Sequence, residues 1–305
     1  MAEKSFRDLF ASAYEGGKVQ KRASRSSFAS DRAAITDSIQ KSTAAAPGAL
    51  GHPDYEGLAV GQTALSKSVV FFLDIRGFTK LSFVLENEEL LLILQALTTA
   101  SVLSVLQFGG HVIEFTGDGI MAVFGDHQGS PEETAFASLN AASFLMNGIK
   151  NDVNAQLAIG GGESVRVGIG MEFGEILWSR IGVLGRTQVK PISEVTFLAG
   201  KLSTSKYTRS WEAKVGANLA SWIQEDLKQK APRYEFSIGD RKYSRELYLF
   251  DWQAFSRSSQ ANSAELRRRL LARKLEGPVT LAANVIGSTN PPSAGPRKLK
   301  DQPFF

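Results

Sequence analysis

The chain has 305 residues, enough for one large domain or two small ones, and its 43% hydrophobic and 22% charged residues describe a globular protein with a full core. The formal net charge of +4 is a mild basic excess that suits an anionic small substrate and serves solubility equally well. No cysteine is present, which excludes disulfides, thiolate catalysis and Cys-ligated zinc and fits a reducing cytosol. The opening MAEKSFRDLF lacks the charged-then-apolar layout of a signal peptide, and the longest apolar runs, Val69–Leu73 and Leu90–Leu94, fall short of the about 18 residues of a membrane span. The expected location is therefore cytoplasmic, without a membrane partner.

Residues 1–61 read as an N-terminal extension with short helices at Ser5–Tyr14 and Ser30–Lys41 and a basic cluster of Lys18, Lys21, Arg22 and Arg25. A patterned domain follows over 62–255. Val69–Asp74 reads as a strand, and Leu85–Phe108 carries apolar residues at helical spacing until Gly109-Gly110 stops it. His111–Glu114 and Ile120–Phe124 form a hairpin around Thr116-Gly117-Asp118-Gly119. Pro131–Ile149 is a helix opened by Pro131, Glu132 and Glu133. Val165–Met171 and Glu175–Ile181 read as another hairpin, followed by a helix at Ser193–Ser205, a strand near Trp211–Val215 and a helix at Ala217–Leu227. A last hairpin from Tyr234 to Trp252 turns at Gly239-Asp240. This order predicts an α+β fold, a split βαβ antiparallel sheet with helices packed on one face. Residues 256–305 read as a short helix with Arg267, Arg268, Arg269 and Arg273, then a loose Pro- and Gly-punctuated tail. No aromatic residues interleave with the terminal basic clusters as a stacking platform requires, so no nucleic-acid partner is expected.

Two segments carry chemistry. In Phe72-Leu73-Asp74-Ile75-Arg76-Gly77-Phe78-Thr79 an apolar strand ends in a carboxylate, and Gly77 permits a tight turn into a helix start whose N–H groups suit an anion. An Asp that merely caps a helix gives the same local pattern. In Glu114-Phe115-Thr116-Gly117-Asp118-Gly119-Ile120-Met121 the aspartate sits in a Gly-flanked turn, where a purely structural turn role is the common one. If the two central strands pair antiparallel, Asp74 and Asp118 face each other with no obvious neutralising partner. Mg²⁺ or Mn²⁺ held by carboxylates and phosphate oxygens resolves that. His52, His111 and His127 have no ligand-like spacing.

The pair FLDIRGFT and GDGIMAVFG resembles the two metal-binding motifs of class III adenylate and guanylate cyclases, and VRVGIGMEFGEILWSRIG resembles the Gly-punctuated segment that follows them. The likeness covers roughly 66–252. It implies a cyclase homology domain acting as a homodimer with active sites at the interface. Asp74, Asp118 and the Ile75 carbonyl would hold two metal ions per site, and the amides of Gly77, Phe78 and Thr79 would bind the β- and γ-phosphates of a nucleoside triphosphate. The family's base-reading position before the second aspartate is Glu114, and the second falls near Lys190. The helix that supplies a ribose-orienting Asn and a transition-state Arg reads Thr196-Phe197-Leu198-Ala199-Gly200-Lys201-Leu202, with Phe197 and Lys201 at those places. Lys201 can still neutralise phosphate charge, without the planar fork of Arg. Arg180, Arg186, Arg241, Lys242 and Arg245 are further candidates for triphosphate contact, and Trp178 and Trp252 for core or interface.

A non-catalytic homologue, a purine cyclase and a pyrimidine cyclase all fit. The altered helix and the compact layout resemble the Pycsar pyrimidine cyclases of bacterial antiphage defence, whose product is read by a separate effector. Glu114 accepts from uracil N3–H more readily than it serves cytosine N3, which points to UTP over CTP.

Overall fold

The computed structural model describes residues 5–8, 10–11, 14, 50–126, 129–159, 164–183, 185–205 and 212–269. The expected helix at 30–41, the cluster at 18–25, His127, Trp211 and the tail from 270 lie outside them. The strands are β1 Thr63–Ile75, β2 Gly110–Thr116, β3 Gly119–Phe124, β4 Val167–Val183, β5 Arg186–Ile192, β6 Glu212–Gly216, β7 Lys228–Ile238 and β8 Arg241–Phe250. The helices are α1 Phe78–Leu81, α2 Asn87–Gln107, α3 Pro131–Asn147, α4 Asn154–Ile159, α5 Glu194–Thr204, α6 Ala217–Ala220 and α7 Trp252–Arg257. One sheet runs in the order β2-β3-β1-β4-β6-β8-β7, with β5 on the far end of β4. All pairings are antiparallel except β4 with β6.

β1 lies near the middle, and Val69, Val70 and Phe71 are all fully buried. A strand apolar on successive residues is covered on both faces, which corrects the expectation of helices on one face. Val69, Phe71 and Leu73 meet Ile93, Ala96 and Leu97 of α2 and Leu139, Ala142 and Leu145 of α3. Val70 and Phe72 face the opposite side, where α5 and the segment around Tyr55 close a second layer with Trp178. Phe6, Phe10 and Tyr14 are buried in the first layer and Tyr55 in the second, although all precede residue 62. Phe6 lies where a Cβ on Gly148 would stand, at the π-helical turn Gly148–Val153 that continues α3. Ser130 and Glu133 start α3 with a reciprocal capping box.

Three further expectations are corrected. The predicted hairpin 165–181 is the single strand β4, because Phe173-Gly174-Glu175 stays extended and pairs with Val69, Ser68 and Lys67 of β1. Gly174 serves closeness rather than a turn: a Cβ there would stand 2.6 Å from Val195 of α5. The predicted helix 217–227 is only α6 and a 3₁₀ turn at Glu225–Leu227, since Lys228 Nζ takes the Ala220 and Ile223 carbonyls. Finally, α2 is by length and composition long and apolar enough to cross a membrane, with mean hydropathy 1.8. In the fold its buried residues line the first core layer.

Candidate active site

The antiparallel register of β1 with β3 pairs Leu73 with Ile120, so the exit of β1 at Asp74 and the turn at Asp118 lie at one end of the sheet. Gly119 makes this approach possible, since a Cβ there would overlap the Leu73 carbonyl. The Asp118 carboxyl accepts from its own N–H and from that of Ile75, yet burial outweighs these bonds and pushes its pKa up. Burial is thus penalising a negative charge at this end of the sheet, and a divalent cation would relieve that cost. Asp74, Asp118 and the Ile75 carbonyl have the hard oxygen donors that Mg²⁺ or Mn²⁺ takes, with coordination positions left for phosphate and water. Among the described residues no cluster of three or more His, Asp or Glu offers an alternative metal site. His52 and His111 instead pack against each other, with ring centroids 4.2 Å apart and planes tilted by 51°.

The expectation that the two aspartates lack a neutralising neighbour is corrected by Arg76, whose Nη1 stands 4.0 Å from Asp74 Oδ2. Beyond it, Gly77 adopts the left-handed conformation (φ 74°) and starts α1 at Phe78. Gly117 matches it in the opposite turn (φ 73°), and at both glycines a Cβ would meet open space. Both left-handed glycines thus leave their turns open, and the first-turn N–H groups of Phe78 and Thr79 follow Gly77 directly.

A second group forms elsewhere on the chain. Lys190 of β5 and Glu114 of β2 make a direct ion pair across 76 residues of sequence. Both side chains remain about a quarter exposed, and burial lowers the Lys190 pKa. α5 carries the remaining candidates. Its N-cap Ser193 accepts from the Thr196 N–H, and its buried face, Leu198, Ala199 and Leu202, lies on the sheet. Phe197 is 72% exposed, and the Lys201 ammonium lies 5.9 Å from the centre of the Tyr234 ring. Of the other cations considered, Arg245 pairs with Glu194, and Arg180 holds the Glu56 and Leu58 carbonyls. The aspartates lie at the exit of β1 and in the turn between β2 and β3, the Glu114–Lys190 pair joins β2 to β5, and Phe197 lies on the exposed side of α5.

Sequence reasoning missed Arg76 as a structural link and missed Lys214, which is fully buried in β6. A signal existed for the second: Lys214 lies between Ala213 and Val215 in a strand whose five residues are all buried.

A family model described as the adenylate and guanylate cyclase catalytic domain matches residues 62–190. A cytidylate cyclase of Escherichia coli is 25% identical over 212 residues, which is 65% of this chain and 46% of that protein. A cytidylate cyclase of Staphylococcus aureus is 22% identical over 221 residues, 68% of this chain and 52% of its own length. The chain thus spans about half the length of these curated relatives. Among solved structures, that of the adenylyl cyclase CyaB from P. aeruginosa is similar with a TM-score of 0.54 and 25% identity, covering 62% of this chain and 95% of that one. The paired aspartate motifs, the strand order that brings them together and these likenesses agree: residues 62–190 of this chain match the catalytic domain of the class III nucleotidyl cyclases.

Proposed function

We propose that the chain is a pyrimidine nucleotide cyclase, converting UTP or CTP into the 3′,5′-cyclic monophosphate and pyrophosphate as a cytoplasmic homodimer with two Mg²⁺ or Mn²⁺ ions per site. The observation that carries this reading is the Glu114–Lys190 pair: an acceptor and a donor stand together, at the positions where family resemblance puts base recognition. Such a pair complements a base edge that presents one donor beside one acceptor. Uracil offers N3–H and O4, and cytosine offers N4–H and N3. Glu114 alone favoured uracil, but Lys190 beside it removes that preference, and the cytidylate cyclase relatives support CTP. Phe197, where the family has a smaller Asn, fills space that a purine would occupy.

Asp74, Asp118 and the Ile75 carbonyl hold the ions, which when bound lower the pKa of the ribose 3′-hydroxyl and offset triphosphate charge. The amides of Gly77, Phe78 and Thr79 bind the β- and γ-phosphates. Glu114 and Lys190 orient the base, and Lys201 neutralises charge on the α-phosphate. The 3′-oxygen bonds to the α-phosphorus as the bond to the β-bridging oxygen breaks, and the hydroxyl proton passes to water. By the family resemblance, the sites of this dimer draw on both subunits. No membrane or nucleic-acid partner enters this reading. By its resemblance to the Pycsar enzymes, the product serves as a messenger read by a separate effector in antiphage defence.

The test is incubation of the protein with ATP, GTP, CTP and UTP separately, with Mn²⁺, resolving products by chromatography and mass. Cyclic CMP or cyclic UMP is expected, reduced about 10²–10³-fold in Asp74→Asn, the scale of removing one preorganised charge contact. Cyclic GMP or cyclic AMP alone would refute the pyrimidine assignment. No product from any nucleotide would leave a nucleotide-binding homologue.

A further inference from the structure

Arg76 lies two residues past Asp74 and is only 8% exposed. Its guanidinium donates to the Thr204 carbonyl at 2.7 Å and to the Ser205 carbonyl at 3.1 Å, the last residue and the C-cap of α5. Lys214 reaches the same helix end from β6, donating to the Leu202 carbonyl at 3.2 Å and to that of Ser205. Carbonyls at a helix C-terminus have no intrahelical partner and carry partial negative charge, so two buried cations there fix the end of α5 in place. The glycines of β4 make the room. A Cβ on Gly168 would overlap the Arg76 guanidinium, and one on Gly170 would overlap the Ala199 carbonyl and Ser203 nitrogen of α5. Asp74, Arg76 and the end of α5 thus form one continuous set of contacts. Lys201 lies one helical turn before that end and Phe197 two.

We propose that Arg76 is a positioning residue that locks the metal-binding end of β1 and helix α5 into one rigid body, so that Asp74, Phe197 and Lys201 keep a fixed geometry. The proposal rests on the cyclase reading of these residues. Arginine suits the place because its planar fork addresses two carbonyls while facing a carboxylate, which a lysine ammonium does only in part. In a homodimer whose sites draw on both subunits, the same contact ties a subunit's metal ligands to the helix that serves the adjoining site.

The experiment compares the full chain with Arg76→Met and Arg76→Lys, by hydrogen exchange with mass spectrometry and by steady-state cyclase kinetics. In Arg76→Met, peptides covering 198–205 should exchange about ten- to a hundredfold faster, the scale of losing one charge-assisted hydrogen bond. Peptides covering 69–73 and 120–124 should not change. The kcat should fall about a hundredfold, the scale of a 1 Å misplacement, while KM stays within about threefold. Arg76→Lys should recover part of both effects, and it serves alone if the Met variant does not fold. Unchanged exchange at 198–205 overturns the clamp. Faster exchange with kcat and KM both unchanged overturns its part in the reaction. A wild-type chain without turnover sinks the cyclase reading and that part with it, while the exchange arm still reports whether the clamp exists.

Discussion

Lys214→Met tests the energetics of the buried cluster under α5. Lys214 is fully buried, and its ammonium stands 3.0 Å from Glu212 Oε2, itself on a residue 4% exposed. Methionine keeps most of the apolar stem and deletes the charge, the ion pair and the two hydrogen bonds to α5. Removing one partner of a buried pair costs about 3–5 kcal/mol, chiefly because the remaining charge loses its counter-ion. Arg76 continues to act on Glu212, so the expected cost is at the lower end, about 3 kcal/mol. That corresponds to a melting temperature lower by about 6–12 °C. Urea unfolding at pH 7 followed by circular dichroism reads it as a lower midpoint at constant slope. Adding Glu212→Gln removes both charges and should return about 2 kcal/mol of the loss. A Lys214→Met cost under about 1 kcal/mol, or a double variant no better than the single, would refute the argument that losing the Lys214 counter-charge to Glu212 dominates.

Glu172 predicts a pH dependence. Burial pushes its pKa up to about 7, against the lowering effect of the Leu219 and Phe173 N–H groups on its carboxylate. A carboxyl with a raised folded pKa holds its proton longer in the native than in the unfolded chain, so native stability is lost as pH rises from about 4.5 to about 7. Both N–H groups point to Oε1, which an amide oxygen can replace, so Glu172→Gln should gain on the wild type by up to about 3 kcal/mol between pH 5 and pH 8. Parallel urea midpoints of the two proteins across that range would dismiss it. Gly170→Ala should cost about 1–3 kcal/mol, because the methyl meets the backbone of α5 rather than a side chain that can swing away. It should also lower cyclase turnover by displacing Phe197 and Lys201. A variant with wild-type midpoint and rate would show that α5 yields freely.

The strand end at Asp74 and the glycine-flanked turn at Asp118 were legible because their signals are local. A strand that ends in a carboxylate before a left-handed glycine, and an aspartate between two turn glycines, are patterns of a few adjacent residues. The starts of α3 at Pro131 and of α5 near Ser193 were legible for the same reason. The unbroken apolar run Val69–Leu73 already implied cover on both faces of β1, and the one-face expectation overlooked it. Gly174 was misread because a glycine that permits a turn and one that permits close approach look alike in a sequence; the neighbour that decides is Val195, 21 positions away.

By itself, the sequence determined the fold class, most of the order of its elements, and the strand end and turn that carry Asp74 and Asp118, all of which follow from periodicities and turn chemistry within a few residues. Only the tertiary structure decided that Lys190 meets Glu114, that Arg76 and Lys214 converge on the end of α5, and that Phe6, Phe10 and Tyr14 complete a core layer. Except for those of Lys214, these contacts join residues far apart in sequence. Their pairing depends on how the fold brings β5 to β2 and on the space that Gly168 and Gly170 leave for a guanidinium and a helix backbone, and short-range patterning carries neither.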